Sequence, residues 1–507
     1  LNLKSWQSKT AFLLILFIGC NVYAQQSTKK IIRFSALKQK ESRELGKTRL
    51  LGEVQFEHEG AIMDSDSAWY FREENRIIAF QNIKVNQGDT LFMWGDRLEY
   101  SGETRQAVVT GEEVRLEDQE MTLITDRLRL DRNTNIAYYT TKGRVMSEDN
   151  TLFSDKGYYD SNNKIFSFKD SVVLSNPDYT IFTDTMDYNS ESHIAYFLGP
   201  TTILSDSSKI YCENGRYNTD LNTAQFNKNA YIYDGPKYLT GDSLYYERDG
   251  DYGEAFRNVL IHDTIDNYLI SGDYGEYFGR EDSAYVTGDP LYTVVDDEND
   301  SLHVHGDTLY SHTVIDSLGN EDRRLQIFYG VRFMRSDMQG KCDSLSYSTA
   351  DSTFRMYRDP IMWDDSTQIS GDTIYMTTAK DRPDTLKVLG NAFMVSRADS
   401  IRYNQVKGRR MIGKFKDDEL RRVYVNGNGE AIYYPKEEDG DYIGMNRSLC
   451  SRILIILRNS ELKRITWIGT PEGVMHPMDK IPADRKTLEG FKPRFDERPR
   501  TKADLFL

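Results

Sequence analysis

The chain lacks any run of 18 apolar residues, so no membrane-spanning helix is expected from it. Its 507 residues hold only 4 cysteines and 7 histidines, with no Cys-x-x-Cys pair, which removes the usual zinc and thiol-redox frameworks. Basic residues are outnumbered, 64 Lys and Arg against 79 Asp and Glu, and a net charge of −15 excludes the basic stripe that nucleic acid needs. Phosphate-cradling glycine loops, a nucleophile elbow and calcium-binding Gly-Gly-x-Gly-x-Asp nonapeptides are all missing. Between 50 and 435 almost nothing carries the 3.6-residue period of a helix. Neither an enzyme nor a resident cofactor is expected.

What is present is an internal repeat with a period of about 29 residues. Each copy reads small-Asp-x-apolar-x-Tyr, as in Gly95-Asp96 to Leu98 and Tyr100, Gly241-Asp242 to Leu244 and Tyr246, and Cys342-Asp343 to Leu345 and Tyr347. The twelve anchor acids are Asp66, Asp96, Asp126, Asp155, Asp184, Glu213, Asp242, Asp273, Asp307, Asp343, Asp372 and Asp399. Between them lie period-two runs rich in Tyr, Phe, Val, Ile and Thr, such as Gly143-Arg144-Val145 and Gly330-Val331-Arg332-Phe333. Asn, Asp, Gly and Ser clusters punctuate the runs, as at Asp160 to Asn163. The expectation is an all-β stack in which each unit contacts mainly its neighbours. Alternation gives two sheets facing each other across an apolar trough. Twelve catalytic acids would make no sense, so the anchors are expected at corners, accepting turn N–H groups.

The shared parity of the motif positions makes Leu98, Tyr100, Leu128, Met186, Tyr188, Leu244, Tyr246, Tyr277, Leu309, Leu345, Tyr347 and Ile374 the candidates to line the trough. His303, His305 and Asp307 share one face of a strand, as metal ligands would, but Asp307 is a repeat anchor and no metal is expected. At the start, Lys4 and Lys9 precede the apolar stretch Ala11 to Gly19, and Val22-Tyr23-Ala24 offers cleavage before Gln25. A rival reading lipidates Cys20 and makes an outer-membrane lipoprotein. Phe17 suits that poorly, so a signal peptide over 1–24 and a periplasmic product are expected. Cys212 and Cys342 sit in the small slot before an anchor, too far apart for a disulfide. A linker then covers 25–48 and the repeats 49–470, as one or two consecutive units. Five of the twelve prolines fall in 471–507, which reads as an extended charged tail. Leu51 to Phe56 and Ile453 to Leu457 are the candidate edges for end-to-end strand addition.

Laid out this way, the chain resembles the OstA-like (organic-solvent-tolerance) family, the group that includes the periplasmic lipopolysaccharide transport protein LptA. The likeness rests on the Asp-x-Leu-x-Tyr copies, the interleaved Ala107 to Val114 pattern, and the late segments Tyr403 to Gly408 and Val425 to Gly429, and it covers about 50–470. It implies an elongated repeat β-jellyroll whose groove shields lipopolysaccharide acyl chains on the way to the outer membrane. It also implies, as partners, other jellyroll components of that transport bridge. The chain has about twice the repeats of a typical LptA-like subunit. The alternative is a structural or adhesive cell-envelope β-solenoid whose trough is filled by its own side chains.

Overall fold

The computed structural model describes residues 33–507 apart from 43–45, 119–120, 148, 207, 266, 296–299, 365, 380–381, 418, 438–439 and 459–460. The expected signal peptide, with Cys20 and the cleavage point after Ala24, lies outside the described residues. The fold is all-β, a repeat jellyroll of antiparallel strands, and among the described residues the helical turns are three short 3-10 segments after 477.

Each rung is a strand or strand pair that bends in its middle. Ala61–Phe71 pairs with Lys47–His58 before it and Arg76–Gln87 after it, and both ladders slip register at the same level, Leu51/Val54 and Asp64/Ser67. The slip recurs at Phe80/Ile83, Trp94/Arg97 and Thr110/Val114. In several alternate strands it is built from two consecutive left-handed residues, such as Gln81 and Asn82 (φ 63° and 48°) or Lys228 and Asn229 (58° and 53°). Such bulges kink a strand and reverse which face points inward. In Ala61–Phe71 the buried positions are Met63 and Ser65 before the bend but Ala68 and Tyr70 after it. Because successive rungs run antiparallel, every rung contributes one arm to each of two facing sheets. A leading sheet holds the arm before the corner in Ala61–Phe71 and alternate rungs and the arm after it in the rungs between, and a trailing sheet holds the other arms.

The parity reversal explains the anchor acids. Asp66, Asp96, Asp126, Asp184, Asp273, Asp307 and Asp372 are exposed although they share the apolar register of their motifs. Their carboxylates tie down the neighbouring bulge: Asn82 Nδ2 donates to Asp66 (2.8 Å), the Glu112 N–H to Asp96 (3.0 Å) and Asn229 Nδ2 to Glu213 (2.8 Å). The residue before the anchor is small because the next rung fills its place. A Cβ on Gly95 would lie 2.6 Å from Val109 Cγ1.

Four expectations are corrected. Asp399 heads no corner: its carboxylate accepts the Ile401 and Arg402 N–H groups (2.9 and 2.8 Å) in a turn, and Ile401 is 73% exposed. The corner of Tyr403–Lys416 falls at Gly408 and Arg409, and that of Met445–Arg458 at Ser451. The repeat therefore runs on with Arg409 and Ser451 in the anchor place, and Cys450 joins Cys212 and Cys342 in the small slot. Leu51 to Phe56 is not an edge, because Arg33–Ser35 and Lys38–Ser42 pair along it, so residues 33–42 are strand and not linker. Nor is Ile453 to Leu457, which Glu461–Ile468 covers. The charged Lys38-Gln39-Lys40-Glu41 run hid one outer strand, because both its faces meet solvent.

The chain divides into two compact units, 1–235 with 242–249, and 236–241 with 250–507. In the first, Leu50, Val54, Ala68, Ala79, Val109 and Val114 form a fully buried core. In the second, Ile327, Val331, Ile374, Val388 and Val425 do the same. The second unit also binds its own C-terminus. Gln339, Gln368 and Gln405 each stand four residues before a corner and are nearly fully buried. Gln368 donates to the Lys492 carbonyl (2.9 Å) and accepts the Arg494 N–H (2.7 Å). Gln405 does the same with Lys486 and Leu488 (2.9 and 2.8 Å). Leu488 and Phe495 pack with Trp363, Phe393 and Ile432, and Arg494 pairs with Asp359 (2.8 Å) and Glu497 (2.6 Å). Beyond Glu472–His476, which pairs into the ladder, the proline-rich tail is thus a strap laid across successive rungs; its prolines keep it out of the ladder, and Gln368 and Gln405 supply partners for its backbone.

Candidate functional site: an apolar trough with a charged rim

The first unit does not fill the space between its sheets. A cavity of about 390 Å³ opens there, within the range of small-ligand sites. Phe56, Met63, Val85, Met93, Leu116 and Leu123 line it from the leading sheet. Ile77, Leu98, Tyr100, Ala107, Leu128, Leu130, Ala137 and Phe168 face them from the trailing sheet. Val85, Tyr100, Leu116 and Leu130 are only half-buried, so the trough is open along one side.

The rim is polar and specific. Glu59 (φ 46°) sits in the hairpin that ends a leading arm, while Arg105 (φ 55°) and Arg132 sit in hairpins that end trailing arms. Those trailing turns stack, with the Arg132 N–H donating to the Arg105 carbonyl at 3.0 Å, and this brings the two guanidiniums together. Both reach Glu59, Arg105 Nη2 at 3.0 Å and Arg132 Nη2 at 3.2 Å. The three side chains form a clasp between the tips of the two sheets. Just inside it, the Tyr100 ring lies 5.6 Å from that of His58, and Tyr100 Oη is buried without a hydrogen-bond partner. Arg105 Nε is likewise buried and unpaired. Burial raises the Tyr100 hydroxyl's pKa, Glu59 adding to the rise while Arg132 and Arg105 oppose it. Asp131 turns away, accepting from Gln106 Nε2 and the Asn133 N–H, both at 2.9 Å.

Of the candidates chosen from sequence, Leu98, Tyr100 and Leu128 line this cavity. Met186 and Tyr188 belong to the packed core of the first unit, and Leu309, Leu345 and Ile374 to that of the second. Leu244 is buried, and Tyr246, Tyr277 and Tyr347 are half-buried. The motif positions sample only trailing arms of anchor strands, so they miss the leading-sheet wall of Phe56, Met63, Met93 and Leu123, and the rim. The wall was visible as alternation two or three residues before each anchor. The clasp had no local signal. In the second unit a cavity lined by Met338, Trp363, Leu386 and Leu420 measures about 20 Å³, room for about one water.

His303 and His305 do not form a metal site with Asp307. His303 Nδ1 bonds Thr293 Oγ1 (2.9 Å), His305 Nδ1 bonds the Pro290 carbonyl (2.8 Å) beneath Phe506, and Asp307 lies at its corner. Among the described residues no group of three or more His, Cys, Asp or Glu converges as metal ligands.

The rungs, corners and facing sheets define the class, a repeat β-jellyroll with an apolar trough. Residues 27–184 and 178–234 match the family of OstA-like proteins, so the first part of the chain is similar to that family. Among solved structures, it is similar to LptH from Pseudomonas aeruginosa, described as the LptA-homologous periplasmic component of the conserved lipopolysaccharide transport device. The identity is 13%, over 28% of this chain and 95% of that one, with a TM-score of 0.22. The fold is accordingly defined by the strand pairing above and not by that likeness. No curated protein matches the chain.

Proposed function

We propose that the protein is a periplasmic lipid-binding conduit that shields lipopolysaccharide acyl chains in transit to the outer membrane, without catalysis. The observation that carries this is the open apolar cavity of the first unit, whose lining residues all fall within the stretch matched by the OstA-like family. A net charge of −15 repels an anionic glycolipid, so affinity has to come from burying its chains. At about 0.8 kcal/mol per methylene, a chain of roughly a dozen carbons contributes near 10 kcal/mol gross, more than screened surface repulsion at physiological salt. Partner jellyrolls would add to the outer strands Lys38–Ser42 and Glu461–Ile468 or Glu472–His476, each of which pairs with one strand among the described residues.

The test is mass spectrometry of natively purified protein for bound lipopolysaccharide, with a photo-crosslinking residue at Leu128 in cells. Labelled lipopolysaccharide is expected. Lipid-free protein and no labelling from any lining position would defeat the reading. A purely structural role is favoured for the second unit by its filled core, where Ile327, Val331, Ile361, Ile374 and Val388 are 0% exposed.

A further inference from the structure

Two buried donors without partners, Tyr100 Oη and Arg105 Nε, stand beside a pair of guanidiniums at the mouth of an apolar cavity. Buried polar atoms are nearly always satisfied, and each exception calls for an explanation. Their neighbours supply one. Arg105 and Arg132 carry two positive charges against the single carboxylate of Glu59, with the His58 ring 3.8 Å from that same carboxylate. In a chain of net charge −15 these two guanidiniums form a cationic pair beside Glu59 and Asp131, and Arg132 and Asp131 line the cavity instead of lying on an outer face.

We propose that Arg105, Arg132 and the Tyr100 hydroxyl receive the anionic head, phosphate or carboxylate, of an amphiphile whose chain lies in the cavity. Glu59 holds the place of that anion in the unliganded protein. The proposal rests on the acyl-chain reading above. The chemistry is that of charge-assisted pairing: a guanidinium presents its donors as a rigid fork to a planar or tetrahedral oxyanion. Glu59 engages Nη2 of each arginine, which leaves Arg105 Nε unspent. A phosphate has oxygens enough for both forks and for the phenol, whereas Glu59 meets only the first two. Because Glu59 comes from the leading sheet and the arginines from the trailing one, exchanging it for a ligand oxygen also releases the clasp over the trough. Head recognition and chain entry then become one event.

The experiment compares amphiphiles of one chain length, dodecyl phosphate, dodecanoate and neutral dodecyl glucoside, with inorganic phosphate, by calorimetry on the intact chain below micelle formation. Dodecyl phosphate is expected to bind at least about tenfold more tightly than the glucoside, a difference of about 1.4 kcal/mol. Arg105→Ala with Arg132→Ala should erase that preference. Glu59→Gln should widen it, and added salt should narrow it. If the double variant melts well below the parent, Arg132→Gln, which is shorter but keeps an N–H donor and loses the charge, must shift the ratio in the same direction. Glucoside and phosphate ester binding equally, or a preference that survives loss of both arginines, overturns the headgroup site while leaving the acyl reading intact. Inorganic phosphate binding as tightly as the ester makes it a site for free anions and overturns the amphiphile. Failure of every dodecyl compound to bind removes the acyl reading itself, and the headgroup site with it.

Discussion

Replacing Ala137 by phenylalanine should close the trough without unsettling the fold. Ala137 lies in Ile136–Tyr139, paired with Leu130 on one side and Tyr159 on the other, and all three line the cavity. In a filled core an added ring costs about 1–3 kcal/mol through overpacking. Here the ring enters about 390 Å³ of free space, so its burial offsets that strain and stability should stay within about 1 kcal/mol. The ring displaces roughly four methylenes of a bound chain, about 3 kcal/mol at 0.8 each, which weakens binding on the order of a hundredfold. The control is Met186→Ala, 1% exposed in the packed core and not itself a lining residue, with an expected loss of about 2–5 kcal/mol. Thermal melts and dodecyl-ligand titrations on both variants decide the matter. If Ala137→Phe destabilises as much as Met186→Ala while binding persists, the acyl chain does not lie in this cavity.

Other consequences can be measured on the same protein. Gln368→Ala strands the Lys492 carbonyl and the Arg494 N–H, so it should cost about 1–3 kcal/mol and speed amide exchange across 486–498; unchanged exchange there would refute the strap's dependence on the glutamine ladder. Hydrogen bonds from Arg494 and then Lys341 hold Glu497 at about 2 against an ordinary 4.5. With the folded value depressed, its contribution is complete above about 4.5 and lost as pH falls toward 2, so pepsin should cut the strap progressively over that window, and Glu497→Gln should flatten the dependence. Burial pushes the Cys212 and Cys342 thiols up to about 12, so iodoacetamide at pH 8 should label them only on unfolding; stoichiometric labelling of native protein would contradict their place in the corners.

The repeat made the all-β architecture readable because its signals are local: alternation, turn clusters and a small residue before each acid. The same locality misled at Asp399, where a turn copies the motif while the true corner, Gly408 with Arg409, carries the opposite charge. What the corner requires is space before it and a polar side chain outside, and arginine or serine satisfies that as well as aspartate. The strap was illegible for a different reason. Its partners Gln339, Gln368 and Gln405 look like ordinary outward positions of strands, and only the fold reveals that one peptide crosses them all. Glu59, Arg105 and Arg132 meet across the mouth of two sheets, a distance that no periodicity encodes.

Whether the trough is a groove or a core is decided by side-chain volume along one column of the trailing sheet, on an unchanged backbone. The residues facing Tyr100 and Leu130 across the ladder are Ala107 and Ala137, and the cavity lies over them. The next place in the column is Phe166, opposite Tyr159, and it walls the cavity. Ala195 and Ala224 return to the small side chain farther along, but Phe197 and Phe226 two residues on are buried rings that restore the bulk. In the second unit the corresponding places are Leu325 and Phe354, both opposite Tyr347, then Leu386 opposite Met376. Around the cavity the column carries Ala107 and Ala137, whereas Leu325, Phe354 and Leu386 fill it in the packed second unit, with rung, corner and register the same. Ala137→Phe writes the residue of the filled column into the open one, so it should convert groove into core by a single ring.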